Sequence, residues 1–132
     1  MKELENLAER MAEEMGLVMV DFEQGPGFIR IVVDGDGGVT VEECAALSRR
    51  FSKALDDRNP LAVEVSSPGL DRVLRTPRER AWAVGKRVKA VTRDGRVRVG
   101  RLISSSAEEI SLDGEVITLA EISRLSLAED EK

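Results

Sequence analysis

The hydrophobic periodicity of this chain changes near residue 75. Before that point, apolar residues follow helical spacing in some segments and form longer strand-like runs in others, whereas after it they form short runs separated by Asp-Gly pairs. Helical spacing predicts amphipathic helices, and short runs bounded by turn residues predict strands. We therefore expect an α+β protein with an N-terminal domain over 1–74, a linker with a short helix over 75–84, a second domain over 85–128 and an acidic tail over 129–132.

The first domain is predicted to have the element order α-β-β-α-β. Helical spacing begins at Leu4 and ends at Gly16, which suits a C-terminal cap. Residues 17–23 and 28–33 predict a hairpin, and 61–65 a third strand. Two helices covering one face of this sheet would form a two-layer sandwich.

A capping box predicts where the second helix begins. Thr40 precedes Glu43 by three positions, so each side chain can bond the other residue's backbone N–H. The Asp56–Pro60 segment is expected to end this helix. The predicted inward stripe is Val41, Cys44, Ala45, Ser48, Phe51 (or Ser52) and Leu55. Cys44 is therefore expected to act as a small core residue and not as a reactive thiol.

The second domain is predicted to consist of five short strands. Their ranges are 86–93, 96–103, 108–112, 115–119 and 122–127. Asp94-Gly95 and Asp113-Gly114 each predict a two-residue hairpin turn. Five short strands with little helix favour a small closed barrel, which leaves no sheet edge exposed.

Composition excludes most catalytic chemistry. The chain has no histidine and a single cysteine, so imidazole bases, Ser-His-Asp or Cys-His arrangements and structural zinc fingers are not possible within it. We expect no catalytic residues, no metal and no cofactor. No apolar run approaches the roughly 18 to 20 residues of a membrane span, and the lone cysteine suits a reducing compartment, so we expect a cytoplasmic protein that does not bind membranes.

Positive charge is concentrated in one segment of an acidic protein. The net charge is −5, yet residues 72–101 carry eleven Lys and Arg side chains against Glu79 and Asp94. The flanking segments 1–71 and 102–132 are both acidic. This distribution predicts an anionic partner for the basic segment.

The basic segment predicts contacts with RNA phosphates. A two-residue turn at Asp94-Gly95 would place Arg87, Lys89, Arg93, Arg96 and Arg98 on one side of a hairpin, with Ala90, Thr92, Val97 and Val99 toward the core. Like charges across a hairpin repel, and an anion would relieve that repulsion. Four aromatic residues are too few for a row of stacked bases, so we expect recognition of structured RNA through its backbone. The RNA-binding candidates are Arg72, Arg75, Arg87, Lys89, Arg93, Arg96 and Arg98. The alternative is that these side chains only keep a sheet edge soluble.

A turn is predicted where the first domain ends. Its residues are Ser66, Ser67, Pro68, Gly69, Leu70, Asp71 and Arg72. Pro68 presets φ and Gly69 tolerates a positive φ, the combination of a type II turn. From spacing alone, this segment could be purely structural.

This turn lies in a segment, Val63–Arg72, that closely resembles the signature of the bacterial ribosome maturation factor RimP family. The resemblance extends to residues 34–55, to Thr76-Pro77 and to Gly85-Lys86, although Val73 stands where the family commonly has proline. It implies an α/β N-terminal half and an Sm-like (SH3-type) five-stranded barrel. It also implies a non-enzymatic factor that binds the immature small (30S) ribosomal subunit and assists its late assembly. A small-subunit ribosomal protein near the decoding region is the implied direct partner, contacted chiefly by the C-terminal domain.

Ribosomal proteins are usually basic, so carboxylates are the natural candidates for that protein contact. The candidates are Glu108, Glu109, Asp113 and Glu115. We expect a monomer that contacts ribosomal RNA and a ribosomal protein. The alternatives are an Sm-like chaperone or regulator acting on small RNAs as a ring, and a small hydrolase that uses carboxylates.

Overall fold

The computed structural model describes residues 2–55 and 62–128. The chain divides into two compact units, Met1–Pro68 and Gly69–Lys132. Both helices and sheets are present, so the predicted α+β class is confirmed. The finer limits 1–74, 75–84 and 85–128 stay a prediction. The tail 129–132 and the predicted helix end at 56–60 lie outside the described residues.

The first unit places two helices against a three-stranded sheet. Its elements are α1 (Lys2–Glu14), β1 (Val18–Gly25), β2 (Phe28–Asp34), α2 (Val41–Ala54) and β3 (Ala62–Ser66). The sheet order is β1-β2-β3, with β2 antiparallel to β1 and parallel to β3. Gly16 ends α1 with a φ of 76°, a conformation that glycine adopts without strain. The core between the layers is built from Ile29, Ile31, Val33, Leu47 and Phe51, all of them fully buried.

The capping box at the start of α2 is confirmed, but the predicted inward stripe is partly wrong. The Glu43 N–H donates to Thr40 Oγ1 at 3.0 Å, and the Thr40 N–H donates to Glu43 Oε1 at 2.9 Å. Leu47 and Phe51 form the buried face, whereas Val41 is exposed. Val41 lies six positions before Leu47, about 120° around a helix of 3.6 residues per turn. It therefore points away from the core.

The second unit is a five-stranded antiparallel sheet with one short helix. Its elements are α3 (Pro77–Ala83), β4 (Arg87–Thr92), β5 (Val97–Ser105), β6 (Glu109–Leu112), β7 (Glu115–Thr118), a 3-10 helix (Leu119–Glu121) and β8 (Ile122–Leu127). The sheet order is β7-β6-β5-β4-β8. In the described part of the chain no ladder joins β7 to β8, so the sheet does not form the closed barrel that was predicted. The core is centred on Val88, Ala90, Leu102, Ile110 and Leu125.

The two Asp-Gly pairs form hairpin loops of different length. At the second pair, Leu112 faces Glu115, and both Asp113 and Gly114 have positive φ, as a two-residue type I′ turn requires. At the first pair, the Thr92 N–H donates to the Arg96 carbonyl at 2.8 Å and the Gly95 N–H to the Thr92 carbonyl at 3.0 Å. This is a three-residue loop, so the two-residue turn predicted at Asp94-Gly95 is wrong.

The longer loop moves the β4–β5 register by one residue. Lys89 faces Val99, and Ala90 faces Arg98. Because side chains alternate between the faces of a strand, the shift turns Val97 and Val99 away from the core. They are 53% and 44% exposed, contrary to the prediction that they face inward.

No helix among the described residues is long and apolar enough to cross a bilayer.

Candidate functional site

The outward-facing side of the β5-β4-β8 strands carries a cluster of cations. Directly opposed residues of antiparallel strands share a face, and the pairs Arg87–Arg101, Lys89–Val99, Val91–Val97 and Val91–Arg124 define this side. We call it the outer sheet face. Its members are Arg87, Lys89, Val91, Val97, Val99, Arg101 and Arg124. It combines four positive side chains with three valines and includes no carboxylate among these residues.

Two of these cations carry charge that folding does not neutralise. Lys89 and Arg124 are exposed, and neither forms an ion pair with another described residue. The Arg101 Nη1 donates to the Gly85 carbonyl at 2.8 Å, which holds the guanidinium in place against a neutral acceptor. Unpaired guanidinium and ammonium groups on a sheet face offer several donors to an incoming anion.

The predicted row of five cations is not on one face. Arg98 lies opposite Ala90, on the side of the sheet that faces the core, and pairs with Glu115. Arg93 and Arg96 lie at the hairpin loop, where Arg93 Nε donates to the Ala120 carbonyl at 2.7 Å. The register shift therefore separates Arg98 from Arg87 and Lys89.

The hairpin loop carries a carboxylate that offsets part of its positive charge. A hydrogen bond from the Thr92 hydroxyl is the main cause that lowers the pKa of Asp94, with a further contribution from Arg96. The Arg96 Nε lies 3.1 Å from Asp94 Oδ2. Arg96 is thus a less available cation than Lys89.

Arg72 is held by a buried carboxylate. Its Nε donates to Glu79 Oε2 at 2.7 Å, and its side chain is only 20% exposed. Glu79 Oε1 accepts from the backbone N–H groups of Arg75 and Thr76, both at 2.9 Å. This arrangement fixes the start of α3, so Arg72 serves the fold, whereas the side chain of Arg75 is exposed.

The signature segment does not form the predicted type II turn. Gly69 does not have a positive φ, so the turn prediction at Pro68 and Gly69 is wrong. The chain turns two positions later, where the Arg72 N–H donates to the Gly69 carbonyl at 3.2 Å. Leu70, within this turn, is 77% exposed. Ser66 ends β3, while Ser67 and Asp71 are exposed.

The acidic candidates fall into two groups. Asp113 Oδ1 accepts from the Arg101 N–H at 3.1 Å, and Glu115 pairs with Arg98, so both already serve neighbouring strands. Glu108 and Glu109 are exposed beside Ser106, whose hydroxyl accepts from both of their N–H groups. Among these four candidates, only Glu108 and Glu109 leave their carboxylate oxygens without a hydrogen bond or an ion pair in the described part of the chain.

Three residues of this region were missed from the sequence. Glu79 has the same spacing from Thr76 as Glu43 has from Thr40, so its cap could have been predicted, although its bond to Arg72 could not. Arg101 and Arg124 fall on the outer sheet face only once the loop length and the β4–β8 register are known.

The first unit is similar to a known protein family. A family model described as the RimP N-terminal domain matches residues 4–71. The match begins within α1, covers the rest of the sandwich of the first unit and ends inside the signature segment.

Proposed function

Because the chain belongs to the RimP family, a family of non-catalytic ribosome maturation factors, we propose that it assists the late assembly of the small (30S) ribosomal subunit in the cytoplasm. The protein would act by binding the immature particle and without catalysis. The observation that carries this proposal is the outer sheet face, on which Lys89 and Arg124 stay exposed and unpaired in a protein of net charge −5.

The outer sheet face suits the backbone of structured RNA. Lysine and arginine side chains neutralise phosphates without reading base sequence. The valines between them do not favour base stacking, because they offer no aromatic ring. Contact with a folded RNA surface through phosphates and sugars is therefore the mode that these residues favour.

We extend the proposal to a second contact through Glu108 and Glu109. Their carboxylates are exposed at the start of β6 and could meet a basic ribosomal protein of the small subunit, near the decoding region. The protein would then act as a monomer with two partners. Charge reversal of both glutamates is expected to weaken binding to that protein and leave RNA binding intact.

We also propose that the second unit is an Sm-like (SH3-type) fold. Its strand order is β7-β6-β5-β4-β8. β8, the last strand of the unit in the chain, pairs with β4, the first, and this pairing supports the relationship. The predicted RNA chaperone that forms rings is the competing function, since the edge of β7 pairs with no other described strand and could pair between copies, whereas residues 72–74 cover the edge of β8 at Leu125–Leu127.

Co-sedimentation with purified ribosomal particles tests the proposed function. The protein is mixed with small subunits, large subunits and assembled ribosomes over a salt series of about 50 to 300 mM. We expect selective binding to the small subunit that weakens steeply with salt. Selective binding that is insensitive to salt would move the main contact to ribosomal protein, and no binding to any particle would contradict the assembly role.

A further inference from the structure

Arg80 is a buried cation without a counterion in the described structure. Arg80 is only 8% exposed, and its Nη1 donates to the Arg75 carbonyl at 3.2 Å. Its Nε is buried with no hydrogen-bond partner. Buried guanidinium groups normally pair with a carboxylate, because removal of a charge from water is unfavourable. The neighbouring Glu79 does not serve this purpose, since its oxygens are used by Arg72, Arg75 and Thr76.

Arg80 lines a cavity that is suited to an anion. The cavity has a volume of about 280 Å³ and is open to solvent. Arg75 and Arg124 line it together with Arg80 and Ser123, whose hydroxyl already donates to the Val91 carbonyl at 3.0 Å. The remaining lining is aliphatic and no carboxylate contributes to it. Three guanidinium groups around a partly apolar space would bind an oxyanion more strongly than the same groups in open solvent.

We propose that this cavity binds a phosphate group of an RNA backbone, with Arg80 as the buried contact and Arg75 and Arg124 at the entrance. The proposal rests on the proposed function and names a site within it. Arg124 also belongs to the outer sheet face, so one RNA strand could bind both the cavity and the outer sheet face.

A polyanion fits this arrangement better than a single carboxylate does. The 3-10 helix Leu119–Glu121 borders the cavity through Leu119, and Arg93 bonds the carbonyl of Ala120 on the same helix. Arg93 therefore adds a cation beyond the cavity, beside the carboxylates of Asp94 and Glu121. A nucleic acid backbone carries one charge at every phosphate and can meet such a series, whereas an isolated acidic side chain can meet only one position.

Binding of a labelled RNA hairpin tests the site separately from the ribosome. Fluorescence anisotropy is measured for the wild type and for Arg80→Met, which keeps an aliphatic stem in the buried position. Arg49→Met is the matched control, because Arg49 is exposed on α2 and its substitution removes the same charge. We expect Arg80→Met to weaken binding about tenfold and to reduce the slope of log K against log salt by about 1, whereas Arg49→Met leaves both unchanged.

Two further measurements keep the result unambiguous. Arg75→Met and Arg124→Met change exposed side chains, so a similar loss in both supports the site even if Arg80→Met fails to fold. A glutamate-rich peptide of equal charge serves as the competing ligand. Peptide binding that depends on Arg80 while hairpin binding does not would overturn the RNA assignment in favour of a protein partner.

Equal hairpin affinity of Arg80→Met and Arg49→Met would overturn the cavity as a phosphate site. Lack of hairpin binding by the wild type would do the same. Either result leaves co-sedimentation with small subunits to decide the proposed function independently. Conversely, Arg80-dependent hairpin binding without binding to ribosomal particles would keep the site and reject the assembly role.

Discussion

The two units of this protein begin a helix with the same capping box and use it differently. Thr40 and Glu43 open α2, and Thr76 and Glu79 open α3, each pair with the same reciprocal bonds. Glu43 serves only its own helix at the surface. Glu79 is 1% exposed and also holds Arg72 and the backbone of Arg75. The same local motif therefore also makes a tertiary contact when it is buried next to a charged side chain.

The cations of the two units show the same contrast. In the first unit, Arg30 bridges Glu23 and Glu64, and Arg50 pairs with Glu14, all at the surface. In the second unit, the buried pair of Arg72 and Glu79 fixes a helix, whereas Arg75, Arg80 and Arg124 have no carboxylate partner in the described structure. Arg96 and Arg98 also pair with carboxylates, at the surface, whereas Arg75, Arg80 and Arg124 remain available for a ligand.

The largest expected effect separates the two capping glutamates. Glu79→Gln keeps an oxygen for the backbone N–H groups but removes the negative charge that lies 2.7 Å from Arg72 Nε. We expect the free energy of unfolding to fall by about 2 to 3 kcal/mol. Breaking a fully buried pair costs roughly 3 to 5 kcal/mol, and the cost is smaller here because Arg72 keeps some exposure. Glu43→Gln should change stability by less than about 0.5 kcal/mol.

Urea unfolding with two probes measures this difference. Trp82, the only tryptophan, packs against the core of the second unit and reports on that unit by fluorescence. Circular dichroism is dominated by α1 and α2 and reports on the first unit. Similar losses for the two variants would show that the buried pair contributes no more than a surface cap.

The two capping threonines should behave alike. Thr76→Ala and Thr40→Ala each remove one hydroxyl that accepts a single N–H bond at 3.0 Å. We expect each to destabilise its own unit by about 1 kcal/mol, measured with the same two probes. A loss at Thr76 as large as that of Glu79→Gln would mean that the cap itself, and not the ion pair with Arg72, stabilises α3.

The smallest expected effect lies at the exposed loop, where a hydroxyl and a carboxylate meet without a buried partner. The Thr92 hydroxyl is the main cause of the lowered pKa of Asp94. Because the folded pKa lies below the unfolded one, the associated stability is present above the unfolded pKa and is lost as pH falls through the folded pKa. Thr92→Val should raise the Asp94 pKa toward its ordinary value in an NMR titration, and an unchanged pKa would assign the shift to Arg96.

The helices and most strands of both units were predictable because their signals are local. Leu4–Met15 shows helical spacing, and Thr40 with Glu43 marks the start of α2. The outer sheet face was not predictable in full, since it depends on one hydrogen bond, from the Thr92 N–H to the Arg96 carbonyl, that makes the loop three residues long. Asp-Gly alone does not distinguish the two loop lengths. The burial of Arg80 was not predictable either, because the burial of a single arginine is a tertiary property.

The most direct test compares how much the cations of each unit contribute to binding of the small ribosomal subunit. Lys89→Met with Arg124→Met removes two charges from the outer sheet face, and Lys53→Met with Arg49→Met removes the same two residue types from exposed positions of α2. Co-sedimentation with small subunits is measured for both double variants over a salt series. We predict at least about tenfold weaker binding for the first variant, with a salt slope reduced by about 1.5 to 2, and no change for the second. Equal binding by the two variants would contradict the claim that the unpaired cations of the second unit bind ribosomal RNA.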